Sequence, residues 1–181
     1  MHGPLSAAWL LVALCAASGA YCLLRLRSGV EEQRRTAGDE ALMGFGMALM
    51  AVPAAVLTPP AWAWLLYAAV FGAAALRALW AARRGAHHLH HLMGTVAMAY
   101  MALEMAGRPA GHAHHGTTGA PALTGVLLGY FAVYVLWAGA RLVPAASAGG
   151  ASFAGWGDRP ELARACRLSM GIGTLAMLLT M

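Results

Sequence analysis

The sequence predicts an all-α integral membrane protein, a six-helix bundle built from three tandem helical hairpins. Composition is the first ground for this. Of 181 residues, 60% are hydrophobic and only 10% are charged, and the mean hydropathy is +0.62. A soluble domain carries about 25% charged residues, so most of this chain belongs in lipid. Segment length is the second ground. Six stretches, near 4–24, 40–58, 61–82, 86–107, 121–142 and 161–181, reach the ~20 apolar residues that cross a bilayer. They consume most of residues 1–181, so one transmembrane domain is expected, with no room for a separate soluble one. The third ground is a repeat: apart from Met1, every methionine falls in span 2, 4 or 6.

Span 1 opens on "MHGP", which lacks the basic start of a signal peptide, and its arginines follow the apolar run. That is the pattern of a retained span entering from outside. Arg25, Arg27, Arg34 and Arg35 come after span 1, Arg83 and Arg84 after span 3, and Arg141 and Arg159 after span 5. The turn "LTPPAW" has no arginine and the connection after span 4 has only Arg108. The positive-inside rule then puts these arginine-rich connections in the cytoplasm and both termini outside the plasma membrane. The net charge of +5 is thereby explained by topology, and nucleic acid is not an expected partner. Pro53 should kink span 2. Trp62, Trp64 and Tyr67 form an outer aromatic belt at the start of span 3. The stretch "VPAASAGGASFAGWGDRP" between spans 5 and 6 reads as a flexible inner loop. Cys15, Cys22 and Cys166 all fall inside spans and are odd in number, which argues against a disulfide framework.

The repeat is visible in local sequence: "MGFGMALM" begins at 43, "MGTVAMAYM" at 93 and "MGIGTLAM" at 170. Each hairpin pairs an aromatic and aliphatic helix with a Met-Gly helix. At about 100° per residue, Met43, Met47 and Met50 of span 2 share an arc of roughly 60°. Cys166, Met170, Thr174, Met177 and Met181 of span 6 fall within about 80°. In span 4, His87, His90, His91, Gly94, Met98, Met101 and Met105 share about 100°, with His88 and Met93 off the line. Spans 2, 4 and 6 are therefore expected to line the interior.

Two readings of these stripes compete. One is packing, because methionine is unbranched and fills irregular gaps, and Gly44, Gly46, Gly94, Gly171 and Gly173 let helices approach closely. The other is metal, because thioethers and thiolates are soft ligands that select Cu(I), while imidazole suits several transition metals. On the second reading His112, His114 and His115 collect copper outside, and Met105, Met101 and Met98 form the path. His87, His90 and His91 receive it inside, assisted by Cys166, Cys22 and Met43, with Met47, Met170 and Met177 continuing the sulfur lining. A metal donor or acceptor protein would then be a partner beside the lipid bilayer. Arg77, Arg164 and Arg167 lie inside spans, where a charge is costly. They repel a cation unless Asp39, Glu40 and Glu161 balance them. These arginines suit an anion instead, a lipid phosphate or the propionates of a haem, so a haem b electron carrier using His88 or His90 and a methionine, with Arg164 and Arg167 on the propionates, is an alternative. A further alternative is a bundle without catalysis that binds lipid, other copies or a larger membrane complex. No phosphate loop, nucleophile elbow or HExxH is present in the sequence, so an enzyme is not expected.

With these residues in place, the chain resembles an actinobacterial membrane family known as domain of unknown function 5134. "LMGFGMALM" in span 2, "HHLMGTVAMAYM" in span 4 and "CRLSMGIGTLAM" in span 6 carry the resemblance, which extends over nearly the whole chain. The near absence of AT-rich codons, with no lysine or asparagine and Ile172 as the only isoleucine, suits such a source. Similar sequences are expected to carry a histidine ahead of the span 2 methionines, where "DEALM" here places Asp39 and Glu40. The resemblance implies a multi-pass membrane architecture and no particular activity.

Overall fold

Six α-helices and no strand make up the described residues of the computed structural model, which are 3–29, 31–83, 89–107, 120–147 and 160–180. The helices are α1 (Gly3–Arg25), α2 (Glu31–Met50), α3 (Ala61–Ala82), α4 (Leu89–Gly107), α5 (Pro121–Ser147) and α6 (Pro160–Leu179). Four of them, α1, α3, α5 and α6, are long and apolar enough to cross a membrane. The other two are more polar than six equal spans would require. Helix α2 begins at Glu31, nine residues before its apolar onset, and takes in Glu31, Glu32, Arg34, Arg35, Asp39 and Glu40. Helix α4 carries His90, His91 and Glu104 among its apolar residues.

Pro53 does not kink span 2. Helix α2 stops at Met50, and residues 51–56 form a turn. Proline lacks the N–H that a continuing helix needs and disfavours α conformation in the residue before it. With Pro59 and Pro60 close behind, the backbone has no means of resuming a helix until Ala61.

The chain packs as two compact units. The first comprises Met1–Pro53 with Tyr130–Leu175, and the second Ala54–Gly129 with Ala176–Met181. In the first, α1 lies against α2, and the later part of α5 against α6. Gly44 is where α1 and α2 come closest: a Cβ there would stand 2.8 Å from both the Cα and the N of Gly19, and 3.1 Å from the carbonyl oxygen of Cys15. Those neighbours are backbone and cannot swing aside. Gly171 likewise faces the Tyr134 ring, where a Cβ would lie 3.2 Å from ring carbons. The glycines of the Met-Gly repeat are thus contact points between helices, as small residues at membrane helix interfaces generally are.

This leads to a first expected outcome. Gly44→Ala should lower the apparent unfolding free energy in detergent by about 1–3 kcal/mol, the usual cost of overpacking. Gly72→Ala in α3, where an added Cβ meets nothing within 4 Å, should be neutral or slightly stabilising. A thermal unfolding series comparing the two tests the close approach; equal stability of both variants would refute it.

In the second unit α3 packs against α4. Tyr67 stacks on Phe71 one turn later, with ring centroids 4.6 Å apart, and Trp64 meets Tyr67 edge-on. Tyr100 of α4 and Thr124 of α5 share a hydroxyl–hydroxyl hydrogen bond of 2.7 Å. Thr95 folds its hydroxyl back to the carbonyl of His91 at 2.9 Å, which satisfies it within the helix.

Candidate functional site

The three Met-Gly helices turn their sulfur inward. Met43, Met47 and Met50 of α2 are buried, as are Met98 and Met101 of α4 and Met170 and Met177 of α6. Met105 is half-buried. Several branched and aromatic residues of the same helices are exposed, Leu42, Phe45 and Leu49 in α2, Leu89 and Leu103 in α4, and Ile172 and Leu179 in α6, while Leu178 of α6 is buried. The helical period explains this arrangement, since residues three and four apart share a face. In lipid, Leu and Ile are as well solvated outside as inside, so the bundle interior is left to unbranched side chains and glycine.

Within the first unit these sulfurs have defined neighbours. Thr174 of α6 donates a hydrogen bond to the Sδ of Met47 at 3.8 Å, while also donating to the Met170 carbonyl at 3.0 Å. Gly173, one residue earlier, lets two sulfur side chains and Leu11 pack closely against the backbone of α6. A Cβ on Gly173 would lie 2.7 Å from the Cε of Met47 and 3.4 Å from the Sγ of Cys15. Cys15 itself is fully buried and is one of three free cysteines, with Cys22 and Cys166. Met43 and Met170 continue the buried sulfur one turn away along α2 and α6.

About seven residues before Met47 on α2, the same unit holds a buried ion cluster. Glu40 is 1% exposed and so is Arg25, the last residue of α1. The Nη1 of Arg25 donates to the Oε2 of Glu40, and the thiol of Cys22 approaches the same oxygen at 3.7 Å. The Nε of Arg167, from α6, donates to the other carboxylate oxygen at 2.7 Å. Close by, the hydroxyls of Ser18 and Ser169 are hydrogen-bonded at 2.9 Å, and Ser169 donates to the carbonyl of Cys166 at 2.8 Å. A single carboxylate therefore ties three helices together through two guanidinium groups. The sequence reading counted Arg25 among the arginines beside the spans that set orientation, without a partner inside the protein; its side chain is buried and paired with Glu40. Its position at the end of α1 lets the guanidinium reach back into the unit and meet Glu40 instead of water.

The sequence-predicted site residues divide accordingly. Met43, Met47, Met170, Cys22, Cys166, Arg164 and Arg167 belong to the first unit, and His90, His91, Met98, Met101, Met105 and Met177 to the second. The rings of His90 and His91 are 6.4 Å apart between centroids. His87, His112, His114 and His115 lie outside the described residues, as does His88. Among the described residues no group of three or more His, Cys, Asp or Glu side chains is arranged to hold a metal ion. Any soft-metal site in the described part would have to draw on thioether sulfur. Arg167, expected near an anionic cofactor, is engaged with Glu40, while Arg164 is exposed.

Two participants escaped the sequence reading. Cys15 gave no sign of being different from Cys22, although it sits four residues before Gly19, the site of closest helix approach. The Arg25–Glu40 bridge had one available signal: Glu40 is the last acidic residue of α2 before ten uncharged ones. A family model described as Domain of unknown function (DUF5134) matches residues 32–181. No curated protein and no solved structure matches the chain.

Proposed function

The chain belongs to the family of domain of unknown function 5134, and we propose that it is a plasma-membrane protein that binds or passes a soft metal ion, copper(I) first. The observation that carries this reading is the burial of Met43, Met47, Met50, Met98, Met101, Met170 and Met177 on α2, α4 and α6 while Leu42, Phe45, Leu49, Leu103 and Ile172 of the same helices are exposed. In the first unit the binding place would be where Met47 and Cys15 converge on Gly173, with these two as donors and Met43 or Met170 as the next sulfur along the path. Soft, polarisable sulfur matches Cu(I), and a monovalent ion on one thiolate brings no net charge into the apolar interior. The Arg25–Glu40–Arg167 cluster stands ~10 Å away along the α2 axis, from the rise of 1.5 Å per residue.

His90, His91, Met98, Met101 and Met105 would form the corresponding run in the second unit, to which Met177 of α6 also belongs. His112, His114 and His115 would collect the ion on the outer side and His87 would receive it within; in the first unit Cys22 and Cys166 would serve the inner end of the sulfur run. The arginine-rich connections face the cytoplasm on this reading, and both termini face outward.

Elemental analysis of protein purified from copper-replete cells, combined with a visible spectrum, tests the proposal. Near-stoichiometric copper is expected, and it should be lost in Met47→Leu with Cys15→Ser. Met47→Leu nearly conserves volume and should cost under about 1.5 kcal/mol, and the hydroxyl of Cys15→Ser can donate to the carbonyl one turn back in its own helix, so loss of copper from a folded variant reports ligation. Copper absent from the parent protein, or retained by the double variant, refutes the site. A Soret band in place of copper would favour the haem b alternative with Arg164 and Arg167.

A further inference from the structure

We infer that the Arg25–Glu40–Arg167 cluster backs a binding site for a phosphate-type oxyanion, received on the outer edge of the Arg167 guanidinium. The argument starts from charge. Two guanidinium groups share one carboxylate, which leaves one positive charge in excess. Arg25 and Glu40 are both 1% exposed, so that excess is not dispersed by water at the core of the cluster. The Nε of Arg25 has no hydrogen-bond partner among the described residues. An uncompensated charge in such a place is costly, and the cost falls when a counter-anion joins.

Geometry places that anion. Both oxygens of Glu40 are in use, Oε2 by Arg25 and Cys22 and Oε1 by Arg167. Arg167 spends only its Nε on Glu40, which restrains the guanidinium and leaves its two terminal amino groups for other acceptors. Those amino groups have no partner among the described residues, and the side chain is 38% exposed. A planar pair of parallel N–H donors is the arrangement that phosphate and carboxylate oxyanions take up in two-point contact. Arg164 is exposed three residues earlier on α6, close enough in angle to share that side. Side chains on a helix lean towards its N-terminus, so both guanidiniums lean towards Pro160, the polar end of this span, where phosphate head groups lie. Glu40 and Arg25 then act as positioning residues that hold Arg167 ready.

This inference does not rest on metal binding, and it uses other residues. A phosphate-type oxyanion has two sources here, the head group of an anionic phospholipid or a free phosphate. Thermal unfolding of the full chain in a non-ionic detergent distinguishes them when phosphatidylglycerol, phosphatidylcholine and inorganic phosphate are titrated separately. A saturable rise with phosphatidylglycerol and little with zwitterionic phosphatidylcholine is expected; a rise with inorganic phosphate alone would assign the site to a soluble oxyanion. Arg164→Gln should leave the melting temperature without lipid unchanged and raise the half-saturating concentration about tenfold, the loss of one charge-assisted contact. Arg167→Lys keeps the ion pair with Glu40 but removes the paired donors, and should weaken the response at least as much. Equal responses to the two lipids with none to phosphate would overturn the inference. So would parental responses in both variants, and if Arg167→Lys fails to fold, Arg164→Gln alone decides.

Discussion

Glu40→Leu is expected to destabilise the protein by about 3–5 kcal/mol, the cost of stranding one member of a buried ion pair. For a chain of this size that corresponds to a fall of roughly 10 °C or more in apparent melting temperature. The reason is asymmetry. With Glu40 present, Arg25 and Arg167 each donate to it; without it, Arg25 remains 1% exposed with no anion to accept from its Nη1. Glu40→Gln should fall between the parent and Glu40→Leu, because the amide oxygen still accepts one hydrogen bond while the charge is gone. The triple change Arg25→Met, Glu40→Leu, Arg167→Met should recover most of the loss, since apolar residues of similar volume often replace a buried ionic triad without penalty. Denaturation of the four proteins in one detergent decides the matter. A Glu40→Leu protein within 1 kcal/mol of the parent, or a triple variant no better than the single one, would mean that the bridge contributes nothing.

The contrast between this cluster and the rest of the chain tells how far sequence reasoning reaches. Helices α1, α3, α5 and α6 were legible as spans to within a few residues at most ends, because lipid imposes one requirement along twenty consecutive positions; the helix of span 4 was legible too, though it is less apolar than a span requires. Helix α2 was not, since hydropathy marks where a chain enters lipid and says nothing of a helix continuing beyond it. Glu31 and Arg34 are ion-paired at i and i+3 in that extra part, which is the local reason it stays helical. The ends of α2 also show how a single residue misleads: Pro53 kinks a helix only if the chain behind it resumes one, and "LTPP" does not. Methionine faces were legible because the 3.6-residue period assigns all members of a stripe together. Charge balance pointed to Glu40 as one counter-ion for Arg167, but the Arg25–Glu40 half of the bridge was not legible, because its partners stand on different helices and no local rule joins them. Arg25 follows an apolar run, where positive charge ordinarily sets topology, and only packing of α2 beside α1 reveals its partner. The same holds for Cys15, which acquires meaning from the bareness of Gly173 on a distant helix.

Phe71→Ala should produce the second large effect, a loss of about 2–4 kcal/mol, somewhat under the 3–5 kcal/mol common for buried phenylalanine in water-soluble proteins. The difference has a physical origin. In water much of that cost is the transfer of apolar surface, but a helix leaving its partner within a bilayer exposes the ring to acyl chains as apolar as the interior. What remains is the cavity and the lost contacts, and these are large here. Phe71 is 2% exposed and stacks on Tyr67 at 4.6 Å with an interplanar angle of 27°. Tyr67 has a buried hydroxyl with no hydrogen-bond partner among the described residues, so its place depends on ring packing. Removing the Phe71 ring therefore loosens two aromatic side chains at once. Phe71→Leu, which refills most of the volume, should recover at least half of the loss. Because Phe71 and Glu40 belong to different compact units, hydrogen exchange separates their effects. Phe71→Ala should raise exchange first in α3 and α4, and Glu40→Leu first in α1, α2 and α6. If both variants raised exchange evenly over all six helices, the division of the chain into two cooperative units would be refuted, and the loss at Phe71 would have to be read as global.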